Sequence, residues 1–271
     1  MGTLHEILQE KKLWRKQIAN LGVFDLTKRA RGAVLGWAWF FMKPAVYIGV
    51  FWFALAIGLK AGSSGGATGN APYILWLMGG LISWFYMQDM LNQGSDVFHR
   101  YSYLVNKIKF PLSGIPTIFN ISTVIVQVGL VLAMMIIYFL CGQPLDIYLL
   151  QLPVAMLLMF VFFDMFSLFA SCLSALSKDF KNLIQTLSTP LFWLSGIIFD
   201  VFSIGYDWLT IILMFDPVTF FATMYRAAIY DKIWIWERPE ACLGFVVVFL
   251  ITLLCTVVVY RRTREEIADV L

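Results

Sequence analysis

The stretch FDLTKRARGAVLGWAWFFMKPAVYIGVFWFALAIGL, residues 24–59, decides the fold. It opens with Lys28, Arg29 and Arg31, turns through Gly32-Ala-Val-Leu-Gly36, and passes Trp37 and Trp39 into an apolar run behind Pro44. A run of that length approaches the roughly 20 residues a helix needs to cross a hydrocarbon core of about 30 Å. The cations before it suit an anionic inner leaflet, and the tryptophans stand where amphipathic rings collect at a membrane interface. The stretch reads as a surface segment that bends at two glycines and dives into a bilayer.

The rest of the chain agrees. Of its 271 residues 60% are hydrophobic and 14% charged, with a mean hydropathy of +0.78, whereas soluble domains carry about 25% charged residues. Upstream of the elbow, residues 4–21 place Leu4, Ile7, Leu8, Leu13, Trp14, Ile18 and Leu21 on an apolar side, with Lys11, Lys12, Arg15 and Lys16 between them. This predicts an interfacial helix whose lysines face lipid phosphates or an acidic partner. The first residues, with His5, Glu6, Glu10, Lys11 and Lys12, are too polar and too acidic for a cleavable signal peptide.

Apolar runs predict an all-α membrane protein with six spans, at residues 37–59, 72–90, 115–140, 149–176, 183–199 and 243–260. The expected organisation is an amphipathic segment and elbow at 1–36, a six-span domain at 37–260 and a charged tail at 261–271. Sixteen of the 20 Lys and Arg residues fall on one side of this scheme, and Lys60, Arg226, Lys232 and Arg238 on the other. The bias places both termini in the cytoplasm. Residues 200–240 are too apolar for an exposed loop yet are interrupted by Asp216-Pro217, which predicts re-entrant or interfacial helices rather than two more spans. Cys141, Cys172, Cys242 and Cys255 lack metal-ligand spacing and read as small packing residues, with a Cys141–Cys242 bridge as the alternative.

No enzyme constellation appears. His5 and His99 are far apart, which argues against a metal site, and GSSGGATG within residues 61–71 lacks the lysine of a nucleotide-binding loop. Any ATP and Mg would therefore be bound by another chain, and no nucleic-acid partner is expected. The loop at 92–111 is more informative: Val97, Tyr101, Leu104 and Ile108 form one helical stripe, with Arg100, Asn106 and Lys107 off it, ending at Pro111. Such a helix suits docking on a soluble partner, with packing back on the protein's own spans as the other reading. Asp164 is the clear acid within a span, where ionisable groups are by default functional; a structural hydrogen bond to a neighbouring helix is the other reading.

These residues resemble the membrane subunits of ABC exporters for lipid-linked polysaccharides such as O-antigen, capsule and wall teichoic acid. The resemblance rests on Arg29-Ala30-Arg31-Gly32, Leu35-Gly36, Trp39 and Pro44; on Leu104 through Lys107-Ile108-Lys109-Phe110-Pro111; and on Lys178-Asp179. It continues through Phe192-Trp193-Leu194-Ser195-Gly196-Ile197, Asp216-Pro217 and Arg226. Ala30 stands where the family has an aromatic residue, Leu112 where it has arginine, Gly196 where it has proline and Asp216 where it has asparagine. The resemblance implies a homodimer of six-span subunits around one channel in a bacterial cytoplasmic membrane. It also implies two ATPase subunits docked on residues 4–31 and on a helix at about 97–110 that includes Phe98, His99, Arg100, Tyr101, Leu104 and Lys107. Ser195, Gly196, Asp216, Pro217 and Arg226 would belong to an external gate.

Two further expectations concern the cargo. Lys28, Arg29, Arg31 and Lys43 near the elbow would meet the pyrophosphate of a lipid-linked polysaccharide or teichoic acid, or else anchor the chain to membrane lipids. Phe51, Trp52, Trp84, Phe85, Tyr86, Phe192 and Trp193 would offer faces for sugars to stack on, or else face lipid or pack in the core. An exporter of a drug or small lipid on the same scaffold is the nearest rival. A proton-coupled carrier is a remoter one, because a single acid within the spans is thin machinery.

Overall fold

The computed structural model describes residues 2–32, 34–60, 72–107 and 110–270. The Gly/Ser-rich loop at 61–71, Ile108, Lys109 and the side chains of Asn106 and Lys107 lie outside the described residues. Every regular element among the described residues is helical. Helix α1 (Thr3–Leu13) and α2 (Arg15–Ala30) replace the single interfacial helix expected from the sequence, because the backbone leaves helical geometry at Trp14, with φ −96° and ψ 10°. The elbow follows, with Gly32 and Gly36 at φ +86° and +46°, a region glycine reaches without steric cost. A 3-10 turn then leads into α3 (Trp39–Trp52), which continues as a π-helix to Gly58.

Four helical stretches are long and apolar enough to cross a membrane: Gly36–Gly58, Leu112–Leu140, Ile147–Leu176 and Pro239–Ile267. They contain α3, α7 (Ile115–Leu140), α8 (Gln151–Leu176) and most of α12 (Pro239–Val270). The other two expected spans are helices of a different kind. Helix α4 (Tyr73–Asn92) has 20 residues, but Ser83, Gln88 and Asp89 dilute its apolar character. Helix α9 (Lys178–Leu194) has 17 residues and begins in charge; it stops short of the expected residue 199 because Gly196 turns the chain at φ +67°.

The core is built around α4, which packs against α11 (Pro217–Arg226), α7, α9 and α3, while α8 lies along α12. Two glycines allow close approaches between these helices. A Cβ on Gly80 would strike the Arg226 guanidinium and the Ile197 carbonyl, and one on Gly22 would come within 2.8 Å of Ile121. Helix α10 (Asp207–Met214) meets α11 and its π-helical continuation at 96°. At about 1.5 Å per residue neither arm crosses a bilayer as a straight helix. The bend is set by sequence: Asp216 caps α11 by accepting from the Val218 and Thr219 amides at 3.1 and 3.2 Å, and Pro217 occupies the first turn.

The loop at 92–111 also differs from expectation. In place of one helix it forms α5 (Val97–Arg100) and α6 (Ser102–Lys107), broken at Tyr101. Its apolar stripe faces inward: Val97, Phe98, Tyr101 and Leu104 are buried, with α5 against α7 and α8. Phe98, Tyr101 and Leu104 are therefore packed within this chain and do not form a free docking surface. The four cysteines are unpaired, so the Cys141–Cys242 bridge is not formed.

Candidate functional site

Below the elbow a cavity of about 710 Å³ opens between α2, α3, α4 and α7. Its lining is aromatic at Trp39, Phe40, Tyr47, Phe85 and Tyr86 and polar at Arg29, Lys43, Asp89, Gln93 and Arg100, with Lys43 on the same helix as Trp39, Phe40 and Tyr47. Apart from Lys43, these polar side chains belong to a closed circuit of hydrogen bonds. On the last turns of α2, Asp25 and Arg29 stand four residues apart on one face. Asp25 accepts from the Ser122 hydroxyl at 2.8 Å and from Arg100 Nη2 at 3.4 Å. Arg100 Nη1 donates to Gln93 Oε1 at 2.8 Å, and Gln93 Nε2 to Asp89 Oδ1 at 3.2 Å. Arg29 closes the ring, donating through Nη2 to Asp89 at 3.1 Å and through Nη1 to Ser122 at 3.4 Å.

Both guanidiniums stack near Phe119, at 5.4 Å for Arg29 and 4.9 Å for Arg100. Two arginines balance two aspartates, of which Asp25 is buried, so the charge of the ring is compensated. Lys43 has no carboxylate at ion-pair distance among the described residues. The cavity wall thus carries one uncompensated cation next to two oriented guanidiniums, an arrangement suited to an anion. Burial and then the charge of Asp25 raise the neighbouring Tyr101 phenol well above its ordinary range, so it stays neutral.

The structure brings together only part of each expected group. Of the four elbow cations, Arg29 and Lys43 line the cavity; Lys28 and Arg31 are exposed outside it, with Arg31 over the Phe24 ring at 6.0 Å. Of the seven aromatics, Phe51, Trp84, Phe192 and Trp193 form a chain of rings with centroids 5.4–6.5 Å apart. Phe85 joins it through Tyr47. Trp84 is only 3% exposed, so it belongs to packing, whereas Trp193 is 54% exposed. Trp52 is exposed and apart, and Tyr86 turns to Asn120 and to the edge of Phe163.

The residues expected at a gate do converge, at the opposite end of α4. Buried Arg226 donates to the carbonyls of Gly196 and Ile197, to Trp76 at 3.2 Å and to Phe199 at 3.4 Å, and lies 3.5 Å from the Trp76 ring centroid. Thr219 donates to the Ser195 carbonyl at 3.1 Å and to Asp216 at 2.9 Å. Arg226 thereby caps the frayed end of α9 and fastens it to α11 and to the start of α4. Asp164 is a member of neither cluster and is ion-paired with Lys11 of α1.

Asp25, Asp89, Gln93, Ser122 and Tyr47 carry no motif that marks them. One signal was available: Asp89 lies inside the apolar run at 72–90, an acid within an expected span as much as Asp164 is. The others become site residues only through contacts between helices distant in sequence.

Comparison with known proteins is consistent with this architecture. Residues 16–230 match the ABC-2 type transporter family. The O-antigen export system permease protein RfbA of Myxococcus xanthus is 20% identical over 269 residues, covering 97% of this chain and 98% of that protein. With helices fit to span a membrane, no strand among the described residues and a family match over most of its length, the chain belongs to the ABC-2 type transporter family of membrane permeases.

Proposed function

We propose that this chain is the membrane subunit of an ATP-driven exporter that moves a lipid-linked polysaccharide or teichoic acid outward across a bacterial cytoplasmic membrane. ATP, with its Mg, is bound and hydrolysed by a separate partner subunit, and two copies of each subunit form the working complex. The observation that carries this reading is the cavity under the elbow. Arg29, Arg100 and the unpaired Lys43 face a space walled by aromatic rings. A pyrophosphate would meet the cations, the first sugars would lie on the rings, and the polyprenyl tail would run along exposed α3. The relationship to an O-antigen export permease supports the same cargo.

In this reading both termini are cytoplasmic, and α4 and α9 complete six spans. The partner ATPase meets α1, α2 and the outer surface of α5 and α6, where His99 and Tyr103 are accessible. Buried Phe98, Tyr101 and Leu104 pass its movement to α7 and α8 as a rigid-body tilt. The bent α10–α11 pair, locked through Arg226, Asp216 and Ser195, gates the far end.

Co-purification with the ATPase, followed by ATP hydrolysis in nanodiscs with and without lipid-linked glycan, tests the proposal. Glycan should stimulate hydrolysis, and Lys43→Ala should raise the half-maximal glycan concentration by about tenfold, as for the loss of one charge-assisted contact. Stimulation that ignores Lys43, or activity without any ATPase, overturns the reading. A second reading, export of a drug or small lipid, is favoured by the size of the cavity, which falls in the range of about 300–1,000 Å³ typical of small-molecule sites. Stimulation by such a compound but not by glycan would select it.

A further inference from the structure

Helix α1 is fastened by charge, not by its leucines. Its inward face is Glu6, Ile7, Glu10 and Lys11, whereas Leu8 and Leu13 point outward. Glu6 accepts from Arg264 Nη1 at 2.7 Å. Glu10 accepts from Ser113 and, at 3.5 Å, from Tyr260. Lys11 is ion-paired with Asp164, the side chains 20% and 11% exposed. The partners belong to three places: the segment entering α7, the middle of α8, and α12.

The Lys11–Asp164 pair is the most enclosed of these ties. Asp164 stands between Phe163 and Phe166 on α8, and its Oδ1 has no hydrogen-bond partner among the described residues. Lys11 is its one ion-pair partner there. A carboxylate at such a place is costly unless a cation meets it, and a cation carried on a short helix can meet it in one register only. The expectation that Lys11 faces lipid or an acidic partner is thereby corrected: it faces into its own fold.

We propose that Lys11 and Asp164 are positioning residues that key α1 to α8, so that α1, α8 and α12 move as one body through the transport cycle. Asp164 is the counter-charge of Lys11 and no part of the cargo path. The inference rests on the exporter reading for its readout and goes beyond it in assigning the acid of α8.

The test uses the permease–ATPase complex in proteoliposomes, reading ATP-driven export. Lys11→Gln and Asp164→Asn should each lower export by about tenfold, the size of a typical coupling loss. The charge exchange Lys11→Asp with Asp164→Lys should restore it to within about threefold. A defect in Asp164→Asn alone, normal export in both single variants, or an assembled exchange variant that fails to recover would each overturn the proposal. Should the exchange variant fail to assemble, Lys11→Cys with Asp164→Cys decides. A short, reducible bis-methanethiosulfonate should join the two positions, absent in either single-cysteine variant, and leave export intact. Export blocked by that link and restored by reductant would show that the pair must open, and would overturn the one-body motion. Absence of export by the unaltered complex would instead refute the exporter reading, and formation of the link would still report on the pair.

Discussion

Helices α3 and α4 lie side by side and could hardly be used more differently. Along Gly36–Gly58 the apolar chain leaves only Pro44 buried. Helix α4, interrupted by Gly79, Gly80, Ser83, Gln88 and Asp89, buries 13 of its 20 residues. In water the more apolar helix would go inside. In a bilayer the hydrocarbon is as good a solvent for leucine as another helix is, so apolar content drives no packing. What drives it is close approach and polar contact, and α4 has both: its glycines admit Arg226, and Asp89 anchors the ring around the cavity.

Five substitutions, two of them paired with a control variant, put that contrast to the test, in falling order of expected effect on thermal stability in detergent. Trp84→Ala should cost about 3–5 kcal/mol, the range for a buried aromatic, while Trp193→Ala, on an exposed ring, should cost far less; equal losses would mean that Trp193 is covered in the assembled protein. Arg226→Ala strands the carbonyls of Trp76, Gly196 and Ile197 and should cost about 3 kcal/mol, because charged hydrogen bonds are the strong ones. Gly22→Val forces a branched side chain into Ile121 and should cost about 1–3 kcal/mol by overpacking.

Asp216→Ala removes the cap of α11 and should cost about 1 kcal/mol, with Asp216→Asn nearly neutral. Last, Val46→Ala on exposed α3 should change the stability of the isolated chain by less than about 0.5 kcal/mol. A loss above 1 kcal/mol would show another surface on α3, and repeating the measurement on the ATPase-bound complex would locate it.

The same contrast explains what was legible from sequence. The elbow was, because two glycines between a basic run and an apolar run are a local pattern; Gly32 and Gly36 take the positive φ that such a turn requires. The bend at Asp216-Pro217 was, because a cap and a proline act on the next turn of the same helix. The stripe Val97, Tyr101, Leu104 was legible as a stripe, but periodicity cannot say whether an apolar face meets a partner or its own bundle, and here it meets the bundle. Lys11 was misplaced for the converse reason: a charged face reads as an outward face until an acid on another helix answers it.

By itself, then, the sequence determined a helical membrane chain, its elbow and the break at Asp216-Pro217. Each of these follows from residues within a turn or two of one another, or from run lengths set against a bilayer of nearly constant thickness. Tertiary structure alone decided which helix is central, that Asp25, Arg29, Asp89, Gln93, Arg100 and Ser122 close into one ring, and that Lys11 finds Asp164, 153 positions away. Those outcomes depend on buried charges finding partners across helices, and a buried charge is answered in space, with no local pattern along the chain to announce it.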